Sequence, residues 1–151
     1  MRVLESINPT RVAQVTVAWA ALFVIVHAYW AAGGAAGMNG EPADTPGAQG
    51  YIAFITVLGL LGGAVALDLR PGARSRLKRR TLVLLARAGG GALLAGVVIG
   101  TTRWIVDGGL GGDGAAGVVT TAYFLIGGVL FSALGWSPGI RVKRRYADVC
   151  V

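Results

Sequence analysis

The sequence predicts an all-α membrane protein folded as a four-transmembrane-helix bundle, and three observations lead there. Four apolar runs, at about residues 12–34, 51–69, 81–106 and 118–136, are each long enough to cross a hydrocarbon layer of about 30 Å at 1.5 Å per helical residue. Only 14% of the residues are charged and 54% are hydrophobic, where an ordinary soluble domain carries about 25% charged residues. A chain of 151 residues has no soluble core large enough to hide that much apolar surface, whereas lipid solvates it directly. Finally, apart from Asp68, Arg87 and Arg103, the formal charges lie outside the four runs. The whole chain, residues 1–151, reads as a single membrane domain.

In order along the chain, Asn8-Pro9-Thr10 marks a helix start, with Thr10 the candidate N-cap, and Val12 to Gly34 follows without a formal charge. The length of this run and the bulky Tyr29-Trp30 pair argue against a cleaved leader. Ala35 to Gly50, with Pro42, Pro46, Glu41 and Asp44, reads as an exposed loop. Tyr51 to Leu69 is the second span, and Pro71-Gly72 breaks it ahead of the basic stretch Arg74 to Arg80. Thr81 to Val106 forms the third span, Asp107 to Gly117 a second acidic, Gly-rich loop, and Val118 to Trp136 the fourth span. Ser137-Pro138-Gly139 stops that last run before the basic tail Arg141 to Arg145.

Orientation follows from the Lys/Arg bias. Arg2 and Arg11, the stretch Arg70 to Arg80 and the tail Arg141 to Arg145 all fall on one side of the predicted layout, and the two acidic loops fall on the other. Both termini are therefore expected in the cytoplasm of a bacterial cell, with the chain multi-pass in its plasma membrane. The Arg-, Ala- and Gly-rich composition fits a GC-rich bacterial genome. The net charge of +7 is read as a topology and lipid-headgroup signal rather than a nucleic-acid one, because the basic residues sit directly after apolar runs.

The two halves echo each other. Trp30-Ala-Ala-Gly33-Gly34 is matched by Trp104-Ile-Val-Asp107-Gly108-Gly109, and Pro71-Gly72 with Lys78-Arg79-Arg80 by Pro138-Gly139 with Lys143-Arg144-Arg145. One reading makes the halves two parallel helical-hairpin repeats; the other is that Pro-Gly followed by basic residues ends any inward-going helix. Small residues recur four apart at Gly59/Gly63, Gly96/Gly100 and Gly128/Ser132, a spacing that lets helix backbones approach closely. Gly89, Gly96 and Gly100 share a helical face with Arg103, and that face is expected to point into the bundle.

Ionisable groups inside a membrane cost about 2.5–3.5 kcal/mol near its centre, so each one needs a reason. His27 forms an i, i+3, i+4, i+7 face with Phe23, Trp30 and Gly34, and is either a proton-handling group or a neutral histidine bonded to a neighbouring helix. Arg103, one turn before Asp107, either snorkels or lines an outward-facing pocket, and Tyr123 enters the fourth span at the same height. Asp68 and Arg87 are expected to form a structural ion pair across the second and third spans. Trp104, Trp136 and Tyr51 read as interfacial anchors and Trp19 as mid-span packing. With one His and one Cys in the chain, no metal site is expected, and no phosphate-binding loop or nucleophile elbow calls for a cofactor or a hydrolase.

His27, Tyr29, Trp30, Gly33 and Gly34 spell H-x-Y-W-x-x-G-G. With this ending to the first of four spans, the chain resembles a family of small bacterial integral membrane proteins of unknown function. The resemblance implies the four-span fold but no activity. Small multidrug exporters also have four spans, yet the glutamate buried in their first span has no counterpart here.

These observations lead to an accessory membrane protein, whose partners are membrane lipids, a small lipophilic ligand and, for a transporter, further copies of itself. The ligand would sit in an outer-leaflet pocket of Tyr29, Trp30, Arg103 and Tyr123, with His27 the candidate catalytic residue. The alternatives are an enzyme acting on a lipid or isoprenoid, with His27 as acid/base and Arg103 holding an anionic group, and a small oligomeric transporter. A reporter enzyme active only outside the cytoplasm is expected to be silent when fused after Val151, and activity of that fusion would reverse the predicted orientation.

Overall fold

The computed structural model describes residues 8–34, 45–75, 77–106 and 114–136, except for the side chains of Arg103, Trp104 and residues 114–117. Four helices run through these residues: α1 (Pro9–Ala31), α2 (Pro46–Asp68), α3 (Arg79–Val106) and α4 (Gly114–Trp136). Each is long and apolar enough to cross a membrane, which gives the chain the layout of an all-helical, multi-pass membrane protein.

Caps, rather than the onset of hydropathy, set where the first two helices begin. Asn8, not Thr10, caps α1: its side chain accepts from the Thr10 N–H at 2.9 Å, and Pro9 takes the first helical position. Proline suits that position because its fixed φ is already helical and its missing N–H would have had no partner. Thr45 does the same for α2, its Oγ1 accepting from the Ala48 N–H at 3.2 Å ahead of Pro46. The loop expected over residues 35–50 therefore gives up its last five residues to the helix, and α4 likewise starts at Gly114 inside the expected 107–117 loop. Hydropathy marks where lipid begins, whereas a Thr-Pro or Asn-Pro pair marks where the backbone turns helical.

Glycines set where the first two helices stop. Gly33 has φ +90°, with its N–H on the Trp30 carbonyl and that of Gly34 on the Tyr29 carbonyl, both at 3.0 Å. This is the Schellman arrangement, in which two otherwise orphaned carbonyls are satisfied and only glycine sits without strain. After α2, Pro71 and Gly72 (φ +83°) form a tight turn closed by the Ala73 N–H on the Arg70 carbonyl at 3.2 Å.

Two antiparallel hairpins, α1–α2 and α3–α4, carry the closest packing. In the first, Gly59 receives the Phe23 ring, where a Cβ would lie 2.7 Å from Phe23 Cδ1, and Gly63 faces Ala20. In the second, a Cβ on Gly90 would meet Ser132 Oγ at 2.7 Å, and one on Gly128 would meet Leu94 Cγ at 2.7 Å. The Gly59/Gly63 and Gly128/Ser132 pairs thus serve as contact surfaces. The face expected to point inward on α3 does not: a Cβ at Gly89, Gly96 or Gly100 would meet nothing within 4 Å. The side of α3 that meets α4 carries Val83, Arg87, Gly90 and Leu94 instead, at three- and four-residue steps.

The hairpins join where α1 meets α4 and where Gly62 of α2 meets Phe131, a Cβ there lying 3.0 Å from the ring. The buried side chains fall into two adjoining groups. Ala13, Ala66, Leu69, Leu82, Ala86 and Leu134 fill the end of the bundle that carries the basic stretch, and Trp19, Ala20, Phe23 and Phe131 fill the middle. Toward the opposite end the packing loosens. Among the described residues none is buried beyond Phe23 on α1, beyond Gly90 on α3 or before Gly127 on α4, and α2 contributes Ile52 there.

Two alanine substitutions separate these surfaces. A Cβ at Gly127 would run into the indole of Trp19, so Gly127→Ala is expected to destabilise the bundle by about 1–3 kcal/mol. Gly96→Ala meets nothing within 4 Å and is expected to be neutral or stabilising. Reversible unfolding in bicelles would check both.

Candidate functional site

The side chains able to do chemistry within the spans gather along one face of α1 and the part of α4 packed against it. Trp19, Phe23, His27 and Trp30 follow one another at steps of four, four and three residues, so a single stripe of rings runs up α1. Phe23 stacks on Trp19 at 5.3 Å between centroids and on His27 at 3.9 Å, and Trp30 meets His27 edge-on at 5.0 Å. From α4, Tyr123 stacks on Trp19 at 4.9 Å, and Phe124 and Phe131 close the cluster edge-on against Phe23 and Trp19. Such pairs contribute about 0.5–1.5 kcal/mol each beyond the area they bury.

A reciprocal pair of hydrogen bonds ties this cluster together. Trp19 Nε1–H donates to the Tyr123 carbonyl at 3.2 Å, and the Tyr123 hydroxyl donates to the Trp19 carbonyl at 2.8 Å. Each ring thus uses its polar handle on the other's backbone, so neither carries an unmet donor into the apolar interior. Gly127 makes room for the indole. The Tyr123 proton is accordingly spent inside the protein, and the residue bears on the site through its ring. In sequence Trp19 reads as packing alone; its four-residue step to Phe23 and His27 is the signal that joins it to the site.

His27 is half-buried, and its Nδ1 lies 2.8 Å from the Phe23 carbonyl. A carbonyl can only accept, so Nδ1 carries the hydrogen, and in the neutral ring Nε2 is left as an acceptor. The bond fixes the imidazole between Phe23 and Trp30. The partner of this histidine is its own helix rather than the neighbouring helix expected of a neutral, structural histidine. Tyr29 is exposed, and its ring lies over Gly34, where a Cβ would collide with it. Gly33 and Gly34 therefore belong to the helix stop and Tyr29 to its packing. His27 is left as the part of H-x-Y-W-x-x-G-G whose second ring nitrogen is not used in capping or stopping the helix.

Arg103 lies on α3 by its backbone, and its side chain is outside the described residues, as is Asp107. His27 and Tyr123 are joined through Phe23, whose ring stacks on both. The expected ion pair between Asp68 and Arg87 is replaced by separate partners. Asp68 accepts from Ser75 Oγ at 2.7 Å, while Arg87 Nε–H donates to the Gly135 carbonyl at 3.1 Å and its guanidinium lies 4.6 Å from the Trp136 ring centre. The reason is geometric: Arg87 sits on the α4-facing side of α3, where the last turn of α4 offers a carbonyl with no helical donor.

No protein-family model, no curated protein and no solved structure matches the chain.

Removing the Tyr123 hydroxyl tests the reciprocal pair. Tyr123→Phe is expected to lower stability in bicelles by about 0.6 kcal/mol, the average for a hydrogen bond between membrane helices, and by ~1.7 at most. Because Trp19 and Tyr123 hold each other, Trp19→Phe combined with Tyr123→Phe should cost less than the sum of the two alone, and strict additivity would show the bonds to be independent.

Proposed function

We propose that this is a non-catalytic, accessory membrane protein that holds a small lipidic or amphipathic molecule against His27 and Trp30. The molecule lies in the loosely packed half of the bundle, with Tyr29 and Arg103 near its mouth and the Tyr123 ring, through Phe23, at its base. In this reading the termini are cytoplasmic and the loose half lies in the outer leaflet of a bacterial plasma membrane. The observation that carries the proposal is His27. Its Nδ1–H is spent on the Phe23 carbonyl, its ring is held between two aromatics, and the Nε2 acceptor remains in a half of the bundle with little buried packing. A fixed acceptor on an aromatic wall suits a ligand with one hydroxyl or amide donor and an apolar body, since such sites are mostly apolar with a few placed polar groups.

A catalytic reading is less well supported. Acid/base work on a lipid or isoprenoid calls for a second proton-handling group near His27, and the Tyr123 hydroxyl is committed to the Trp19 carbonyl.

Mass spectrometry of lipids retained after gentle purification tests the proposal. A hydroxyl- or amide-bearing lipophile is expected with the wild type and at least about tenfold less of it with His27→Ala combined with Arg103→Ala. Equal retention by both proteins would count against it.

A further inference from the structure

At the opposite end from the His27 site, Arg87 presents chemistry that the bundle itself does not use. Its helix position is eight residues into α3, yet it stands level with the last turn of α4, because it reaches the Gly135 carbonyl and Trp136 caps the guanidinium. Only Nε is hydrogen-bonded: among the described residues the bond to Gly135 is the one the guanidinium makes, so the two Nη groups keep their donors. Asp68, at the end of α2, accepts from Ser75 instead. A guanidinium at the edge of an apolar layer, with its fork unfilled, calls for an anionic acceptor.

Two neighbours narrow the class of that acceptor. Arg80 lies seven residues before Arg87, which puts both on one face of α3, two turns apart, and Arg80 is exposed and makes no described bond within the chain. Trp136 is exposed, with one side of its ring toward the Arg87 charge. Leu84, four residues after Arg80 and three before Arg87, is an exposed apolar side chain on the same face of α3. The surface thus offers two cations, an amphipathic ring at the boundary and an apolar side chain in one place. A phosphate joined to acyl chains matches all three; a free phosphate matches only the first.

We propose that Arg87 and Arg80, with Trp136 as the wall, form a binding site for the phosphate of an anionic phospholipid in the leaflet at the basic end of the bundle. Gly135 and Trp136 hold Arg87 so that its Nη fork meets the phosphate oxygens, and Arg80 meets the headgroup from the water side. Two arginines with no acid between them favour an anionic headgroup over one that carries its own cation. The site is separate from the one assigned to His27 and does not depend on it.

Native mass spectrometry of the full chain, exchanged into mixed micelles containing equal phosphatidylglycerol and phosphatidylcholine, tests the proposal. The wild type is expected to retain phosphatidylglycerol preferentially, and Arg80→Gln to lower that retention about fivefold, the effect of one cation near an anionic surface. Arg80 makes no described internal bond, so this variant keeps the fold even if Arg87 variants do not. Arg87→Lys keeps the charge but loses the fork, and is expected to lower retention while leaving helicity unchanged. Equal retention of the two lipids, or unchanged retention by Arg80→Gln, would overturn the site. Inorganic phosphate displacing the lipid at millimolar concentration would overturn the lipid assignment, leaving a simple anion site.

Discussion

The aromatic stripe of α1 depends on the reciprocal bonding between Trp19 and Tyr123, which joins α1 to α4 across two hairpins that also meet at Gly62 and Phe131. Within each hairpin, glycine lets the backbones close: Phe23 against Gly59 in one, Leu94 against Gly128 in the other. Between the hairpins, α1 meets α4 through bulky rings, and van der Waals packing alone would leave two polar groups stranded in apolar surroundings. Exchanging an indole N–H and a phenol O–H for each other's carbonyls removes that cost and fixes the register of α1 against α4. The aromatic stripe from Trp19 to Trp30 then follows, since each ring is seated on the one before it.

Polar groups elsewhere in the spans follow the same rule of local satisfaction. Thr16, Thr56 and Thr102 each donate to the carbonyl four residues back at 2.8 Å, and His27 does the same through its ring. Thr16 can therefore be fully buried without an interhelical partner. Among the described residues, every buried polar side-chain atom has a hydrogen-bond partner. Where a helix runs out of its own donors, as at the end of α4, a neighbouring arginine supplies one.

The two ends of the bundle differ in consequence. At the basic end, small and branched residues such as Ala13, Ala66, Leu82 and Leu134 close the core completely. At the other end α3 and α4 carry exposed Val98, Ile99, Val118 and Val119, and among the described residues none comes within 4 Å of a Cβ built on Gly89, Gly96 or Gly100. In water such a surface would be a fault, whereas lipid solvates it at little cost. The proposed ligand site at His27 is drawn from this looser half of the bundle.

Much of the fold is legible in the sequence because lipid imposes a rule that composition alone reveals: a span must be long, apolar and helical. Four runs of suitable length, Pro-Gly after the second and Gly33-Gly34 after the first are enough to count the helices and mark two of their ends. The helix starts could have been read more closely, since Asn8-Pro9 and Thr45-Pro46 carry their own signal. Which face of a helix meets which neighbour is another matter. Gly89, Gly96 and Gly100 look as suited to packing as Gly90, and Asp68 looks as suited to Arg87 as Ser75 does. Periodicity defines faces but not partners, and in a chain so rich in Ala and Gly several faces qualify. Only the tertiary structure chose among them, by bringing Trp19 against Tyr123 and Arg87 against Gly135, because bonds between residues 104 and 48 positions apart depend on how helices come together and not on local sequence.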